Sequence, residues 1–237
     1  MRYYTSVWNL LVRRSFWRVM LILLLLAVAN ILCFFYYETE NRYYAVWPMD
    51  SDAFRMVFFF GFAAMLAVVP IPGCAFSTCN GYTLRRLGIS ERAVFFLQAA
   101  FNAACFALLW LTQLLCLCAF EWVVNGLPAD AADYTRYYDA GLFHSLLPLR
   151  DGWRWTRNIA LVIGLGFSTA AGPFHQRRGK FAISLVLMFL ISVFLFCHDI
   201  TEDWIFFLGW PLDLIATGCI AFVVFGVLIC LICEVPE

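Results

Sequence analysis

Charged side chains are scarce in this sequence: Asp, Glu, Lys and Arg make up 14% of its 237 residues, whereas hydrophobic residues make up 64%. An ordinary soluble domain has roughly a quarter charged residues and about half apolar ones. So few charges cannot cover the surface of a water-soluble protein of this size, and lipid must therefore solvate much of the chain. The formal net charge is zero, which argues against a surface for nucleic acid.

Lysine is the scarcest charged residue, and its single occurrence excludes a common type of nucleotide-hydrolysing loop. Such a loop needs Gly-Lys followed by Ser or Thr, because the Lys contacts phosphate and the hydroxyl contacts magnesium. Here Lys180 follows Gly179 but precedes Phe181. The apolar segments also lack a nucleophile with a matching base, which disfavours an intramembrane protease or transferase. We predict a chain that is not an enzyme and has no cofactor of its own.

The ten cysteines do not indicate a secreted disulfide framework, since most lie inside apolar runs, where Cys behaves as a small hydrophobe. Two patterns resemble metal or redox sites: His198-Asp199 with Glu202, and Cys230-x-x-Cys233. One His with acids is weak evidence for a set of ligands, and two Cys on one apolar helix more often pack against neighbours. We therefore predict no metal site.

Six apolar segments are long enough to cross a bilayer, which takes about 20 residues of helix. We predict spans at residues 19–37, 56–76, 93–120, 158–174, 181–198 and 210–233. The first resembles a signal peptide, with Ala27-Val28-Ala29 as its cleavage site, but the apolar run continues beyond those residues, so we interpret it as a span. The predicted fold class is all-α: residues 19–237 form one six-span transmembrane domain, and residues 1–18 form an N-terminal interfacial helix.

The basic residues indicate how these spans are oriented. Six crossings place three basic groups on one side of the membrane: Arg2, Arg13, Arg14 and Arg18; Arg85, Arg86 and Arg92; Arg177, Arg178 and Lys180. That side has ten basic and three acidic residues, a balance of +7, against six basic and thirteen acidic residues, a balance of −7, on the other. Because basic loops stay in the cytoplasm, we predict a multi-pass protein of the cell membrane with both termini cytoplasmic.

The outer side contains the largest loop, residues 121–157, in which residues 129–138 are predicted to form a short helix on the membrane surface. Asp213, the only acid in the sixth span, also lies near the outer side. Trp210-Pro211 just before it indicates a membrane boundary, so we favour a solvated Asp213 near the outer rim. A functional acid inside the membrane is the alternative.

Uncharged polar residues within the spans are interpreted mainly as hydrogen-bonding contacts between helices, with a substrate path as the alternative. They are Asn30, Gln98, Asn102, Gln113, Ser168, Thr169 and Ser192. On the third span, Gln98 and Asn102 lie one helical turn apart, as do the small residues Ala99 and Ala103. Small residues at this spacing let helices approach closely, so we predict that this face is buried against another span or a second copy of the chain.

The loop between the second and third spans has an amphipathic pattern. Leu84-Arg85-Arg86-Leu87 suits a short helix that Gly88 would end. Ser90 is then predicted to cap the third span, with Glu91 in its first turn. A short helix across a cytoplasmic loop could contact a partner protein, whereas the simpler interpretation is a charged loop that only sets the topology.

The motif Tyr82-Thr83-Leu84-Arg85-Arg86-Leu87-Gly88-Ile89-Ser90 in this loop resembles the first cytoplasmic loop of ABC-2-type transporter permeases. In that family the loop contains a coupling helix that docks on the ATPase. Residues 8–18 resemble the family's interfacial elbow helix, residues 174–180 its second cytoplasmic contact, and residues 202–212 its outer re-entrant element. The large loop between the third and fourth spans is not a family hallmark.

The resemblance implies the membrane-spanning subunit of an ATP-binding-cassette exporter, whose separate ATPase subunits bind ATP and magnesium. It assigns the ATPase-coupling loop to Thr83, Leu84, Arg85, Arg86, Leu87 and Gly88, with second contacts at Arg177, Arg178 and Lys180. Six spans are too few to surround a transport path, so we expect a second copy or a homologous permease as partner, within membrane lipid and without nucleic acid. Two alternatives stay open: the substrate-binding membrane subunit of a vitamin-type importer, and a non-transport accessory protein of the membrane.

Overall fold

A computed structural model describes residues 2–40, 52–71, 90–125, 141–148, 151–176, 179, 182–198 and 209–234, and the structural statements below concern these residues. They form six helices of 16 residues or more and one short helix. In chain order these are α1 (Arg2–Glu40), α2 (Asp52–Val68), α3 (Glu91–Asn125), α4 (Gly141–Leu146), α5 (Gly152–Gln176), α6 (Ile183–His198) and α7 (Gly209–Glu234). The predicted all-α class is confirmed for this part of the chain.

Three of the helices contain stretches that are long and apolar enough to cross a membrane: Thr5–Tyr36 in α1, Glu91–Phe120 in α3 and Asp213–Cys233 in α7. Shorter apolar stretches occupy α2 and α6. Large hydrophobic side chains lie exposed on these helices, with Trp17 of α1 and Phe222 of α7 each more than three-quarters exposed. Such a surface is compatible with lipid rather than water, so the chain is a helical membrane protein.

Helix α1 differs from the prediction because it runs without a break through residue 18. The expected interfacial helix and the first span therefore form one 39-residue helix, about 58 Å long at 1.5 Å per residue. Its first turns pack on the bundle: Val7 and Leu11 are buried, and the Trp8 ring lies edge-on to Phe101 of α3 at a centroid distance of 5.7 Å. This packing stabilises the first turns of the helix, and the hydropathy of the sequence does not indicate it.

Side-chain caps set two other helix starts. Ser90 Oγ accepts a hydrogen bond from the Ala93 amide across 3.3 Å, and Glu91 lies in the first turn of α3, which confirms the predicted cap. Helix α5 begins six residues before the predicted span because Asp151 Oδ1 accepts a hydrogen bond from the Trp153 amide at 2.9 Å and, more weakly, one from the Arg154 amide at 3.4 Å. The added turn and a half contains the arginines described below.

Ring contacts give the directions of the first three long helices. Trp8 meets Phe101 near the starts of α1 and α3, and Phe34 stacks on Phe120 near their ends, so these two helices run parallel. Phe54, at the start of α2, also contacts Phe120 at the far end of α3. Helix α2 therefore runs opposite to both of its neighbours.

The remaining helices continue the alternation. Phe174 near the end of α5 contacts Phe95 near the start of α3, so α5 opposes α3. Helix α6 in turn opposes α5, because Leu185 near its start faces Gly172 near the end of α5. Helix α7 runs parallel to α5 through the ion pair described below. Each of the six long helices thus runs opposite to the long helix before it, and we call the end where α2, α5 and α7 begin the α4 end.

Candidate functional site: a buried charge cluster between α5 and α7

Two oppositely charged side chains are buried against each other where α5 and α7 begin. Arg157 Nη1 donates to Asp213 Oδ1 across 2.8 Å, and the two residues are 3% and 5% exposed. Burying a charge is costly unless it is paired and hydrogen-bonded, and a charge-assisted bond of this length is among the strong ones. The pair therefore fixes α5 and α7 to each other at the α4 end.

A second arginine connects this pair to the surface. Arg154 Nε lies 3.8 Å from Asp213 Oδ2 and 3.4 Å from Asp151 Oδ2. Asp151 is the half-exposed cap of α5 and Arg154 is largely covered. The two Arg and two Asp form a group of zero formal net charge that extends from the rim of the bundle to its interior.

Asn158 extends the cluster toward α4. Its Oδ1 accepts a hydrogen bond from Arg157 Nε at 3.3 Å, and its Nδ2 donates to the Ser145 carbonyl at 2.9 Å. The Trp110 indole of α3 donates to the neighbouring Leu146 carbonyl at 3.0 Å. The last carbonyls of a helix have no partner within that helix, so these two side chains satisfy the end of α4 and hold it against α3 and α5.

The predicted environment of Asp213 is wrong. Trp210-Pro211 does mark the beginning of α7, at Gly209, but the Asp213 carboxylate is buried and paired rather than solvated. The reason is Arg157, which directly precedes the predicted fourth span at residues 158–174. The available signal was the i, i+3 pair Arg154 and Arg157 directly before that apolar run, facing the only acid of the sixth span.

The face of α3 predicted to pack lies against α5. Its residues are Gln98, Ala99, Asn102 and Ala103. Asn102 Nδ2 donates to Thr169 Oγ1 at 3.0 Å. A Cβ added to Gly166 would lie 2.6 Å from the Ala99 carbonyl oxygen, so the two backbones approach as closely as glycine allows. Gln98 is 4% exposed, and its Nε2 has no hydrogen-bond partner among the described residues.

The other polar residues of the spans fall into three kinds. Asn30 of α1 and Gln113 of α3 exchange two buried hydrogen bonds of 2.9 and 3.1 Å, which join these helices. Ser192 instead bonds to the Met188 carbonyl of its own helix. Ser168 is buried, and its hydroxyl has no partner within the part of the chain that the structure describes. These contacts account for most of the polar residues as links within the bundle.

Several predicted elements lie outside the described residues. They are the coupling loop, with Thr83, Leu84, Arg85, Arg86, Leu87 and Gly88; its second contacts Arg177, Arg178 and Lys180; the expected helix at 129–138; and residues 202–208 of the expected re-entrant element. Residues 209–212 of that element form the first turn of α7. The prediction of an ATPase-coupling loop therefore stays a prediction.

The chain matches no protein-family model, no curated protein and no solved structure. What the fold and the cluster define is a class: a helical membrane protein whose longer helices alternate in direction, with charges neutralised inside the bundle.

Proposed function

We propose that the chain is the membrane-spanning permease subunit of an ABC-2-type transporter, an exporter driven by a separate ATPase. In this proposal all six long helices cross the cell membrane, and both termini lie in the cytoplasm. The alternating helix directions support six crossings, and the motif at residues 82–90 supports the family. The short α2 and α6 are compatible with crossing because apolar residues continue beyond them, as in residues 69–72 after α2.

One observation supports this function: the helix ends that flank the two basic connections lie at the same end of the bundle. Helix α2 ends and α3 begins at the end opposite α4, where α5 also ends and α6 begins. The connections 72–89 and 177–182, with Arg85, Arg86, Arg177, Arg178 and Lys180, therefore leave the bundle on the same side. A single partner beneath that side could contact both, as a coupled ATPase must.

The packing of α5 supplies a route for transmitting motion. Helix α5 lies among α3, α6 and α7, and glycines bring it close to each neighbour: Gly166 to α3, Gly172 to α6, and Gly164 to α6 and α7. Packed helices of this kind shift between discrete arrangements rather than deform continuously. ATP-driven closure of the ATPase pair would push on the two basic connections, and α5, joined directly to one of them, would move against α3.

The polar network fits a subunit that holds one end rigid while the other moves. At the α4 end, the cluster of Asp151, Arg154, Arg157 and Asp213 fixes α5 to α7. At the opposite end, the contacts among α3, α5 and α7 are made by Phe95, Phe174, Leu231 and small residues, with one neutral hydrogen bond, from Asn102 to Thr169, between α3 and α5. Apolar contacts lack the directional restraint of an ion pair, so movement is less restrained at the end where the ATPase would dock. A second copy or a homologous permease would complete the transport path.

The test is purification of the full chain from its native membrane with identification of the proteins that accompany it. We expect a stoichiometric ABC ATPase that is lost in the double variant Arg85→Glu with Arg86→Glu, while membrane insertion is unchanged. The matched control reverses two arginines of connections at the α4 end, Arg42→Glu with Arg136→Glu, and should retain the ATPase.

Other outcomes would point to the alternatives. Recovery without an ATPase, under conditions that keep a known transporter intact, would favour the accessory protein. Tight stoichiometric binding of a small molecule by the isolated chain would favour the vitamin-type importer subunit. An ATPase retained in the Arg85 and Arg86 variant would leave the transporter class standing but would contradict the coupling loop.

A further inference from the structure

A cavity of about 310 Å³ lies between α3 and α5 at the α4 end. Leu111 and Leu114 line it from α3, Ile159 and Ile163 from α5, and Leu146 and Leu147 from the end of α4. Two indole rings, Trp110 and Trp155, also line the cavity. Apart from these rings, Asn158 contributes the one polar side chain among the lining residues. This volume is at the lower end of the range of roughly 300–1,000 Å³ for small-ligand pockets.

The packing of α3 and α5 explains why this space stays open. The two helices touch backbone to backbone at Gly166 and Ala99 and are bonded at Asn102 and Thr169. From Ala103 to Trp110 the distance along the axis of α3 is about 10 Å. The cavity lies beyond these contacts, toward the α4 end, and the end of α4 borders it. Trp110 and Asn158 hold α4 there by hydrogen bonds to the carbonyls of Leu146 and Ser145. The end of α4 is thereby held by both α3 and α5 and does not move into the space between them.

Water is a poor occupant of this cavity. A buried water needs two to four polar partners, about three in most cases, and apolar cavities stay dry. The side chain of Asn158 already donates to Ser145 and accepts from Arg157. The cavity also opens sideways, since Leu111, Ile159 and Ile163 are each about half exposed. Its mouth therefore meets the apolar lateral surface, which faces lipid chains in a membrane protein.

We propose that this cavity binds one acyl chain of a bilayer phospholipid, whose headgroup lies beside Trp155 at the α4 end. Indole rings favour the layer between hydrocarbon and headgroups, and Trp155 is partly exposed at the rim of the cavity. The neighbouring charge cluster has two Arg and two Asp, so it offers no net charge to select an anionic headgroup. Binding therefore depends on the chain and not on the headgroup charge. This site is independent of what drives transport.

The test uses the full-length protein in phosphatidylcholine vesicles with a small fraction of phosphatidylcholine that carries a photoreactive diazirine in one acyl chain. After illumination, labelled peptides are mapped by mass spectrometry. We expect labelling of residues 107–114 and 155–163 to exceed, per residue, that of the exposed α1 stripe at Leu21, Leu24 and Leu25, which lipid contacts without a cavity.

Variants that fill the cavity should remove this excess. Ala107 and Val162 line the cavity, so Ala107→Phe and, independently, Val162→Phe should reduce labelling there several-fold and leave the α1 stripe unchanged. The matched control is Ala100→Phe, an exposed position on the same face of α3, about 10 Å from Ala107 along the helix, that is not among the lining residues of the cavity. Two filling variants on different helices keep the test decisive if one of them fails to fold.

Four results would count against the proposal. Labelling equal to that of the α1 stripe would mean ordinary boundary lipid. Labelling by a free fatty acid with the same diazirine but not by phosphatidylcholine would identify a different source of the chain. Protection of the cavity from both probes would mean that another segment of the protein fills it. A strong preference for an anionic phosphatidylglycerol probe would contradict the argument from the neutral cluster.

Discussion

Arg157 of α5 and Asp213 of α7 are 56 residues apart in sequence, and they form a 2.8 Å hydrogen-bonded ion pair with almost no exposed surface. Neither charge has water to compensate for the loss of its partner. The effect of the pair on stability is therefore mainly the high cost of removing one partner. The pair also determines which end of α7 meets α5.

Removing one partner of this pair should destabilise the protein strongly. Asp213→Leu leaves a buried guanidinium, and we expect a loss of about 3–5 kcal/mol in the free energy of unfolding. Arg157→Met should cost less, because Arg154 Nε lies 3.8 Å from the remaining carboxylate. The double variant Arg157→Met with Asp213→Leu should be more stable than Asp213→Leu alone. Denaturant unfolding in detergent measures all three, and additive effects of the two substitutions would contradict the pairing.

The two hydrogen bonds between the side-chain amides of Asn30 and Gln113 should also stabilise the protein, by less than the ion pair does. Asn30→Leu leaves the buried Gln113 amide without this partner. Gln113→Leu leaves the Asn30 side-chain oxygen without its donor, while the Asn30 nitrogen still donates to the Leu26 carbonyl at 2.8 Å. Either substitution should cost about 0.5–2 kcal/mol. The double substitution should cost less than the sum, since both polar groups are then gone. Thr112→Val is a suitable control, because within the described residues the Thr112 hydroxyl donates to the Leu108 carbonyl of its own helix and links no other helix. Thermal unfolding in detergent ranks the stabilities of these variants. Equal losses of stability for Gln113→Leu and Thr112→Val would argue against the hydrogen-bonded link between α1 and α3.

The contact between α3 and α5 predicts opposite effects for two glycine-to-alanine substitutions. A Cβ at Gly166 would lie 2.6 Å from the Ala99 carbonyl oxygen, so Gly166→Ala must push the helices apart, at a cost of about 1–3 kcal/mol. A Cβ at Gly218 meets no atom within 4 Å, so Gly218→Ala should be neutral or stabilise α7 by up to about 1 kcal/mol through helix propensity. Thermal unfolding of the two variants side by side tests the packing, and a neutral Gly166→Ala would show that the helices are further apart.

The proposed orientation predicts which side of the membrane exposes each loop. A protease site inserted after Arg136 should be cleaved in right-side-out vesicles, and a site inserted after Arg85 only in inverted ones, because the basic connections stay in the cytoplasm. Vesicles opened with detergent serve as the control in which both sites are cut. Cleavage of both sites from the same side would contradict six crossings.

The helices were predictable where a single stretch of sequence contains the whole signal. Apolar runs located each of the long helices, and Ser90 followed by Glu91 located the start of α3. The small residues Ala99 and Ala103 indicated a close helix contact, since their spacing is a local property. In each case the physical cause lies within a few turns of the residues concerned.

The parts that could not be predicted depend on residues distant in sequence. Helix α1 continues through residue 18 because Val7 and Leu11 pack on the bundle, and the start of the chain gives no sign of that neighbour. Asp213 is buried because Arg157 meets it, and hydropathy treats both as boundary residues. Short α4 depends on side chains from two other helices to satisfy its carbonyls. Such relationships exist only after the helices have assembled.

The separation of Arg157 from Asp213 also constrains the order in which the chain is made. A ribosome releases the arginine of α5 well before the aspartate of α7, so for 56 residues of synthesis the cation has no carboxylate from α7. Asn158, next to it in sequence, and Asp151, six residues earlier, are polar groups at the start of α5 that are already present during that interval. If all six long helices cross the membrane, as proposed, the start of α5 should remain near the membrane surface until α7 is made, and the two helices should complete their insertion together. Assembly of this protein in the membrane would then be complete only after its last helix has been made.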